Sequence, residues 1–251
     1  MNDKILLYEE LSLNALPALQ TQFYDGWVLR YTSGYGYTNR ANSVNLLYPS
    51  TLDLRMKIIE CEKRYFEQGL PTVFKITDGT DSELDKLLEQ DDYTVVTPTH
   101  LMTADINGGN DVSADCLIIN NIDQKWLDTY FFLSKYTNAK KISIATQIFA
   151  NIKIDVICGI LLKNNEMVAC GLCTIERGYA GLFNVVVDET QRGKGYGKEI
   201  CVSLLSAAQQ HGAKMSYLQV VQNNNIALNL YKKLGYKTIY SYWYRVSSRG
   251  N

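Results

Sequence analysis

The chain has no surplus of basic residues: 25 Lys and Arg stand against 26 Asp and Glu, a formal net charge of −1. A nucleic-acid surface needs a positive footprint, so nucleic acid is not an expected partner. No basic run reads as a membrane-surface helix. Residues 1–10 carry Asp3, Lys4, Glu9 and Glu10 and no long apolar stretch, so neither a signal peptide nor a membrane span is expected there. The expectation is a cytoplasmic protein with no membrane partner. Histidine is scarce, and His100 and His211 are far apart. Cys170-Gly171-Leu172-Cys173 spells C-x-x-C, but no second such pair accompanies it. It lies in the apolar run 167–175, which reads as a strand, and residues three apart on a strand face opposite ways. The six cysteines are therefore expected to be reduced core thiols, and no metal site is expected.

What is present is an ordinary globular mixture, 46% hydrophobic and 20% charged over 251 residues. That is enough to bury a core without a disulfide or metal staple. Residues 105–115 are polar, carry Gly108-Gly109 and read as a linker. The expected domains are therefore 1–107 and 115–251. In the second, 116–120 reads as a strand and 123–136 and 142–152 as helices. Runs 156–162, 167–175 and 179–187 read as strands joined by hairpin turns at Lys163-Asn164-Asn165-Glu166 and Glu176-Arg177-Gly178. Helices over 195–210 and 225–234 flank a strand at 216–221, and 237–246 is a last strand or hairpin. The order predicts an α+β fold, a mixed sheet with helices on both faces.

Residues 69–93 also lie over residues 212–236 without a gap, at an offset of 143 residues. Each copy runs from a helix ending in glycine through a strand, a polar turn and a second helix to a tyrosine. Leu84, Leu87 and Leu88 fall in phase with Ala227, Leu230 and Tyr231. The match predicts a shared supersecondary unit.

The chemistry concentrates after residue 182. Leu182-Phe183-Asn184-Val185-Val186-Val187 reads as a buried strand that runs into Arg192-Gly193-Lys194-Gly195-Tyr196-Gly197 and then a helix. Glycines at alternate positions allow a tight turn and close approach of a ligand. Unpaired amides and the positive end of the helix make an anion site. A P-loop would need Ser or Thr after Lys198, where Glu199 stands. A dinucleotide loop would need glycine at Lys198 and an acidic residue about 20 positions on. The remaining pattern, R-x-x-G-x-G on Arg192, Gly195 and Gly197, resembles the pyrophosphate loop of the GNAT superfamily of N-acetyltransferases. Asn224 to Tyr236 is similar to that family's second signature, N-x-x-A-x-x-L-Y-x-K-x-G-[FY]. The resemblance covers about residues 116–246.

The resemblance implies a twisted, mostly antiparallel GNAT-like sheet with acetyl-CoA as co-substrate and no metal. It implies that backbone groups of Val185, Val186 and Val187 hold the acyl-pantetheine arm, in a slot where their strand splays from 216–221. Amides of Arg192, Gly193, Lys194, Gly195, Tyr196 and Gly197 would cradle the pyrophosphate. Asn224 would bond the pantetheine or orient its neighbour, and Tyr231 would protonate the departing thiolate. Some relatives carry a glutamate base at the position of Gln219, which cannot take that proton, so no base is assigned.

If the repeat holds, residues 1–107 are a degenerate GNAT-like half-domain. Leu88 stands in the place of Tyr231, and residues 48–54, in the place of the glycine loop, contain no glycine. Residues 31–40 are aromatic and polar, either an ordinary hairpin or a surface facing a ligand. Residues 25–30 and 40–44 resemble the first domain of two-part GNAT proteins. The expected function is transfer of an acetyl group from acetyl-CoA to a primary amine of a small molecule or peptide. The alternatives are a non-catalytic acyl-CoA-binding regulator and a protein-interaction module. Oligomeric state is open, a homodimer included.

Overall fold

The computed structural model describes residues 2–32, 38–80, 82–106 and 111–247. It divides into two compact units, Met1–His100 with Tyr240–Asn251, and Leu101–Ile239. The Gly-Gly pair lies outside the described residues. Strands β5 (Tyr93–Asp105) and β11 (Lys237–Ser247) each run from one unit into the other. The end of β11 joins the first unit because Tyr242 to Val246 pair antiparallel with β4 (Val73–Thr77).

The first unit contains α1 (Asp3–Ala15), β1 (Gln20–Tyr24), β2 (Trp27–Tyr31), β3 (Val44–Leu46), α2 (Leu54–Glu67), β4 and α3 (Ser82–Gln90). Its strands run in the order β1-β2-β3-β4-β11-β5. Asp25 and Gly26, at φ 42° and 81°, form the two-residue turn between β1 and β2, where both central positions need positive φ. One sheet face is apolar: Trp27, Leu29, Val44, Phe74 and Ile76 pack with Ile58, Cys61 and Tyr65 of α2 and Leu84 and Leu88 of α3. Lys75, on the strand between Phe74 and Ile76, turns to the other face. Its Nζ lies 2.6 and 2.7 Å from the Glu9 carboxylate of α1. The Tyr240 hydroxyl donates to the same carboxylate at 2.7 Å. Buried Arg30 donates to the carbonyls of Leu13 and Leu16 at the end of α1, groups the helix itself leaves unpaired. Of residues 31–40, positions 33–37 lie outside the described residues.

The second unit contains β6 (Cys116–Ile119), α4 (Gln124–Leu133), α5 (Ala139–Ala150), β7 (Asp155–Lys163), β8 (Glu166–Glu176), β9 (Tyr179–Val187), α6 (Tyr196–Gln210), β10 (Met215–Val221) and α7 (Asn225–Lys233). Strand order is β5-β10-β9-β8-β7-β6; β6 to β9 form an antiparallel meander and β10 runs parallel to β9. The two turns sit where the sequence puts them: Asn164-Asn165 and Arg177-Gly178 all have positive φ. α6 packs through Ile200, Cys201, Leu204 and Ala208 on Ala169, Cys173 and Leu182. Cross-strand partners Gly159 and Gly171 let it close in, since a Cβ on either would stand 2.8 Å from an α6 side chain. On the other side of the meander, Trp126 of α4 stacks on Tyr130 and meets Phe149 of α5 edge-on. All six cysteines are buried and unpaired. Among the described residues no cluster of His, Cys, Asp or Glu could hold a metal ion, and no helix is long and apolar enough to cross a membrane.

The repeat is visible element by element. Shifting α3 by the 143-residue offset lands on α7 at both ends, and shifting α2 lands on α6 to within one residue. Gly69 and Gly212 both have positive φ after their helices. Tyr93 and Tyr236 are both buried. β3 before α2 runs parallel to β4 after it, as β9 before α6 runs parallel to β10 after it.

Candidate active site

The site is built by β9, the loop after it, α6, β10 and α7, all in the second unit. β9 and β10 pair from Tyr179↔Met215 to Leu182↔Leu218 and no further, although both strands continue. Their separation coincides with a bulge. Between the pairs Leu172↔Phe183 and Cys170↔Val186, β8 has one residue, Gly171, and β9 has two, Asn184 and Val185. An extra residue bends and twists its strand. Asn184 takes φ 51° to do this, a conformation that asparagine tolerates better than most residues. Sequence reasoning missed Asn184. The signal was there, as the single polar residue in an apolar β-branched run. Its Nδ2 is buried without an acceptor among the described residues.

Beyond the bulge the Asp188 amide donates to Val168 of β8 at 2.9 Å. Strand alternation then turns the amide and carbonyl of Val187, and by the same period Val185, to the opposite edge, toward the gap with β10. The Val185 and Val187 side chains pack on the α6 core. Past Leu182 this edge of β9 has no pairing with β10.

Asp188 closes the strand end by accepting from the Thr190 amide and hydroxyl at 2.8 and 2.5 Å. The chain then passes Arg192, Gly193, Lys194 and Gly195, all exposed. Gly193 and Gly195 have φ 80° and 87°, and a Cβ on either would meet nothing within 4 Å. Glycine is needed here for the backbone angle, and the space above the loop is open. Gly197 serves differently: a Cβ there would come 3.2 Å from Leu230 of α7. Gly195 caps α6 with no side-chain bond, and its carbonyl takes the amides of Lys198 and Glu199. The amides of Tyr196 and Gly197 are left facing outward from a positive helix end. This cradle fits a pyrophosphate.

The matching place in the first unit is filled from within. The amides of Thr51 and Leu52 donate to the Asp25 carboxylate at 2.9–3.0 Å. Asp53 caps α2 by accepting from the Met56 amide at 3.0 Å. The bonds to Asp25, the Leu52 amide first and then those from Thr51 and Lys57, hold its carboxyl far below the usual carboxylate range.

Tyr231 lies half-buried on α7, its ring 5.8 Å from Tyr236. Burial foremost, then the neighbouring Cys201 thiol, raises its phenol above the ordinary value, so it stays protonated. No acceptor for its hydroxyl occurs among the described residues. Gln219 sits half-buried on β10 one residue past the last pairing with β9. Asn224 is exposed, and its Oδ1 accepts from the Ala227 amide at 3.1 Å as the cap of α7. Asn224→Ala is therefore expected to lower thermal stability by about 1 kcal/mol, the usual worth of such a cap, and calorimetric melting checks it.

The meander's fourth strand thus splays from a parallel neighbour beside an uncapped glycine loop. A sequence model described as "Probable histone acetyltransferase Rv0428c C-terminal" matches residues 4–245, and the chain belongs to that family. It is an N-acetyltransferase of the GNAT type. It is 29% identical to "Uncharacterized N-acetyltransferase YobR" of Bacillus subtilis, over 97% of this chain and 99% of that protein. A 77-residue stretch is 31% identical to "[Ribosomal protein bS18]-alanine N-acetyltransferase" of Haemophilus ducreyi, covering 31% of this chain and 53% of that protein. The fold is shared with a GCN5-related N-acetyltransferase from Kribbella flavida, at TM-score 0.70 and 13% identity over 98% of this chain and 95% of that one. It is shared equally with a tandem GNAT protein from the clavulanic acid biosynthesis pathway, at TM-score 0.69 and 10% identity over 97% and 88%.

Proposed function

We propose that the second unit transfers the acetyl group of acetyl-CoA to a primary amine of a small molecule or peptide by direct attack. The observation that carries this is the open, uncapped loop 192–197 beside the unpaired edge of β9. Bound acetyl-CoA would supply the electrophilic thioester. Amides of Arg192 to Gly197 would hold its pyrophosphate, and the open backbone edge of Val185 and Val187, with Val186 between them paired to β8, its acyl-pantetheine arm. Tyr231 Oη holds the proton that the departing sulfur needs; a positioned donor of this kind contributes about 10²–10⁴-fold. Asn224 fixes the start of α7 and so the place of Tyr231. Gln219 is no base, and the amine's proton is not assigned to a residue. Relatives that act on a ribosomal protein's alanine are consistent with an amine acceptor.

The first unit, in this reading, is a degenerate copy that binds no CoA, because Asp25 takes the loop amides of Thr51 and Leu52 and Leu88 replaces the acid. A panel of small amines and peptide N-termini, assayed by thiol release from acetyl-CoA, tests the proposal: turnover above hydrolysis with at least one amine is expected. Gly195→Val should weaken acetyl-CoA binding about tenfold, since a side chain at this φ costs about 1–2 kcal/mol. Equal affinity in calorimetry would remove the loop from the site.

A further inference from the structure

Asn184 is the one polar side chain between Leu182 and Val187. With Val185 it stands opposite the single residue Gly171 at the bulge, and it holds φ 51° there. Every residue but glycine enters that region at a cost, asparagine at less than most. Nothing in the chain offsets the cost through the side chain. Its Nδ2 is buried and meets no acceptor among the described residues. The carbonyl of Gly171, the residue opposite, already accepts from the Trp126 indole at 3.0 Å. A buried donor without a partner weakens a fold. If the bulge were the only requirement, glycine would meet it better. An unfavourable angle and an unpaired donor on one residue mark a group kept for a partner that the chain does not supply.

The position of Asn184 selects that partner. β9 and β10 part after the pair Leu182↔Leu218, just before Asn184. Loop 192–197 lies at the other end of the unpaired edge. A pyrophosphate on that loop would lay the acyl-pantetheine arm along Val187 and Val185 and leave the thioester at the closed end, beside Asn184. The surrounding side chains of β9 are apolar and already packed. Leu182, Val185 and Val187 join the α6 core, and the Phe183 ring lies edge-on to Tyr217, centres 5.8 Å apart.

We infer that Asn184 is a second catalytic residue of the transfer proposed above, on which this inference rests: its Nδ2–H donates to the thioester carbonyl oxygen and holds that oxygen as it gains charge. As the amine nitrogen bonds to the carbonyl carbon, the π pair of the C=O bond moves to oxygen, where the Asn184 amide meets it. The pair returns as the C–S bond breaks. Sulfur leaves with the bonding electrons and takes the Tyr231 proton, and the surplus proton on nitrogen passes to water. A fixed donor to such an oxygen, in a site that excludes water, contributes about 10²–10³-fold to kcat.

Asn184→Gly tests this, because glycine keeps the backbone angle and removes only the amide. Circular dichroism establishes that the variant is folded. The first readout needs no turnover: infrared spectra of acetyl-CoA labelled with carbon-13 at the thioester carbonyl. In the unaltered chain the bound carbonyl stretch is expected below the free one, and in Asn184→Gly much of that shift is lost. Calorimetry should give the variant an affinity for free CoA, which has no thioester carbonyl, within about twofold of the unaltered chain. With an amine that the thiol-release panel identifies, kcat should fall about 10²–10³-fold. Asn184→Asp keeps the shape and tolerates this φ. It serves at about pH 8 if the glycine variant does not fold, since an ionised carboxylate donates nothing. An equal carbonyl shift in the variant, or an unchanged kcat, overturns the inference and leaves acyl transfer standing; Asn184 would then only shape the bulge. A loss of free CoA affinity as large as the loss of kcat overturns it too, since the side chain would then hold the arm and not the carbonyl. An unaltered chain that binds no acetyl-CoA overturns the transfer and this inference together.

Discussion

Tyr231→Phe should lower kcat by about 10²–10⁴-fold while leaving acetyl-CoA affinity within about twofold. The ring still packs on Tyr236 and the α6 core, so only the hydroxyl is removed. That hydroxyl accepts and donates nothing else among the described residues, which makes the substitution a clean deletion of one proton donor. A companion result concerns pH. Because burial raises the phenol, it remains protonated throughout the ordinary assay range. The pH profile of kcat should therefore show no basic limb from this group below about pH 10, the value of an unperturbed tyrosine. Steady-state rates with isothermal titration on the same samples check both. An unchanged kcat in Tyr231→Phe would remove the acid assignment.

Glu9→Ala is expected to destabilise the protein by about 3–5 kcal/mol, the cost of removing one partner from a buried ion pair. Lys75 and Glu9 are 5% and 1% exposed. Burial already depresses the Lys75 ammonium, opposed by Glu9; without Glu9 the depression deepens. The sign follows. Between the lowered folded value and the unfolded value of about 10.4, the unfolded chain binds the proton and the folded chain does not, so stability rises with pH. The deficit of Glu9→Ala should therefore shrink as pH rises toward 10. Denaturant titrations at two pH values check this. A deficit independent of pH would mean that lost packing, and not the stranded ammonium, is the cause. The double variant Glu9→Leu with Lys75→Met should recover most of the loss.

What was legible in the sequence was local. The meander could be read because Asn164, Asn165, Arg177 and Gly178 mark its turns, and all four carry the positive φ such turns need. α7 could be bounded because Asn224 caps it and Gly235, at φ 86°, ends it. The repeat survived because helix phase and glycine stops are short-range properties, and both halves keep them. What escaped depends on distant partners. Nothing in residues 240–247 says that they pair with β4, more than 160 residues earlier in the chain. The bulge at Asn184 arises only when β8 is placed alongside. Asp25 fills the loop of the first unit from 26 residues away. The absence of glycine in residues 48–54 pointed to a changed loop, but not to a carboxylate sitting in it.

Calorimetric titration of the full chain with acetyl-CoA decides whether loop 192–197 is a CoA site. One site per chain is expected, with a dissociation constant of about 100 micromolar or tighter, in the range of working enzyme–substrate pairs, and loss of affinity in Gly195→Val. No saturable binding, or two equivalent sites per chain, would contradict it.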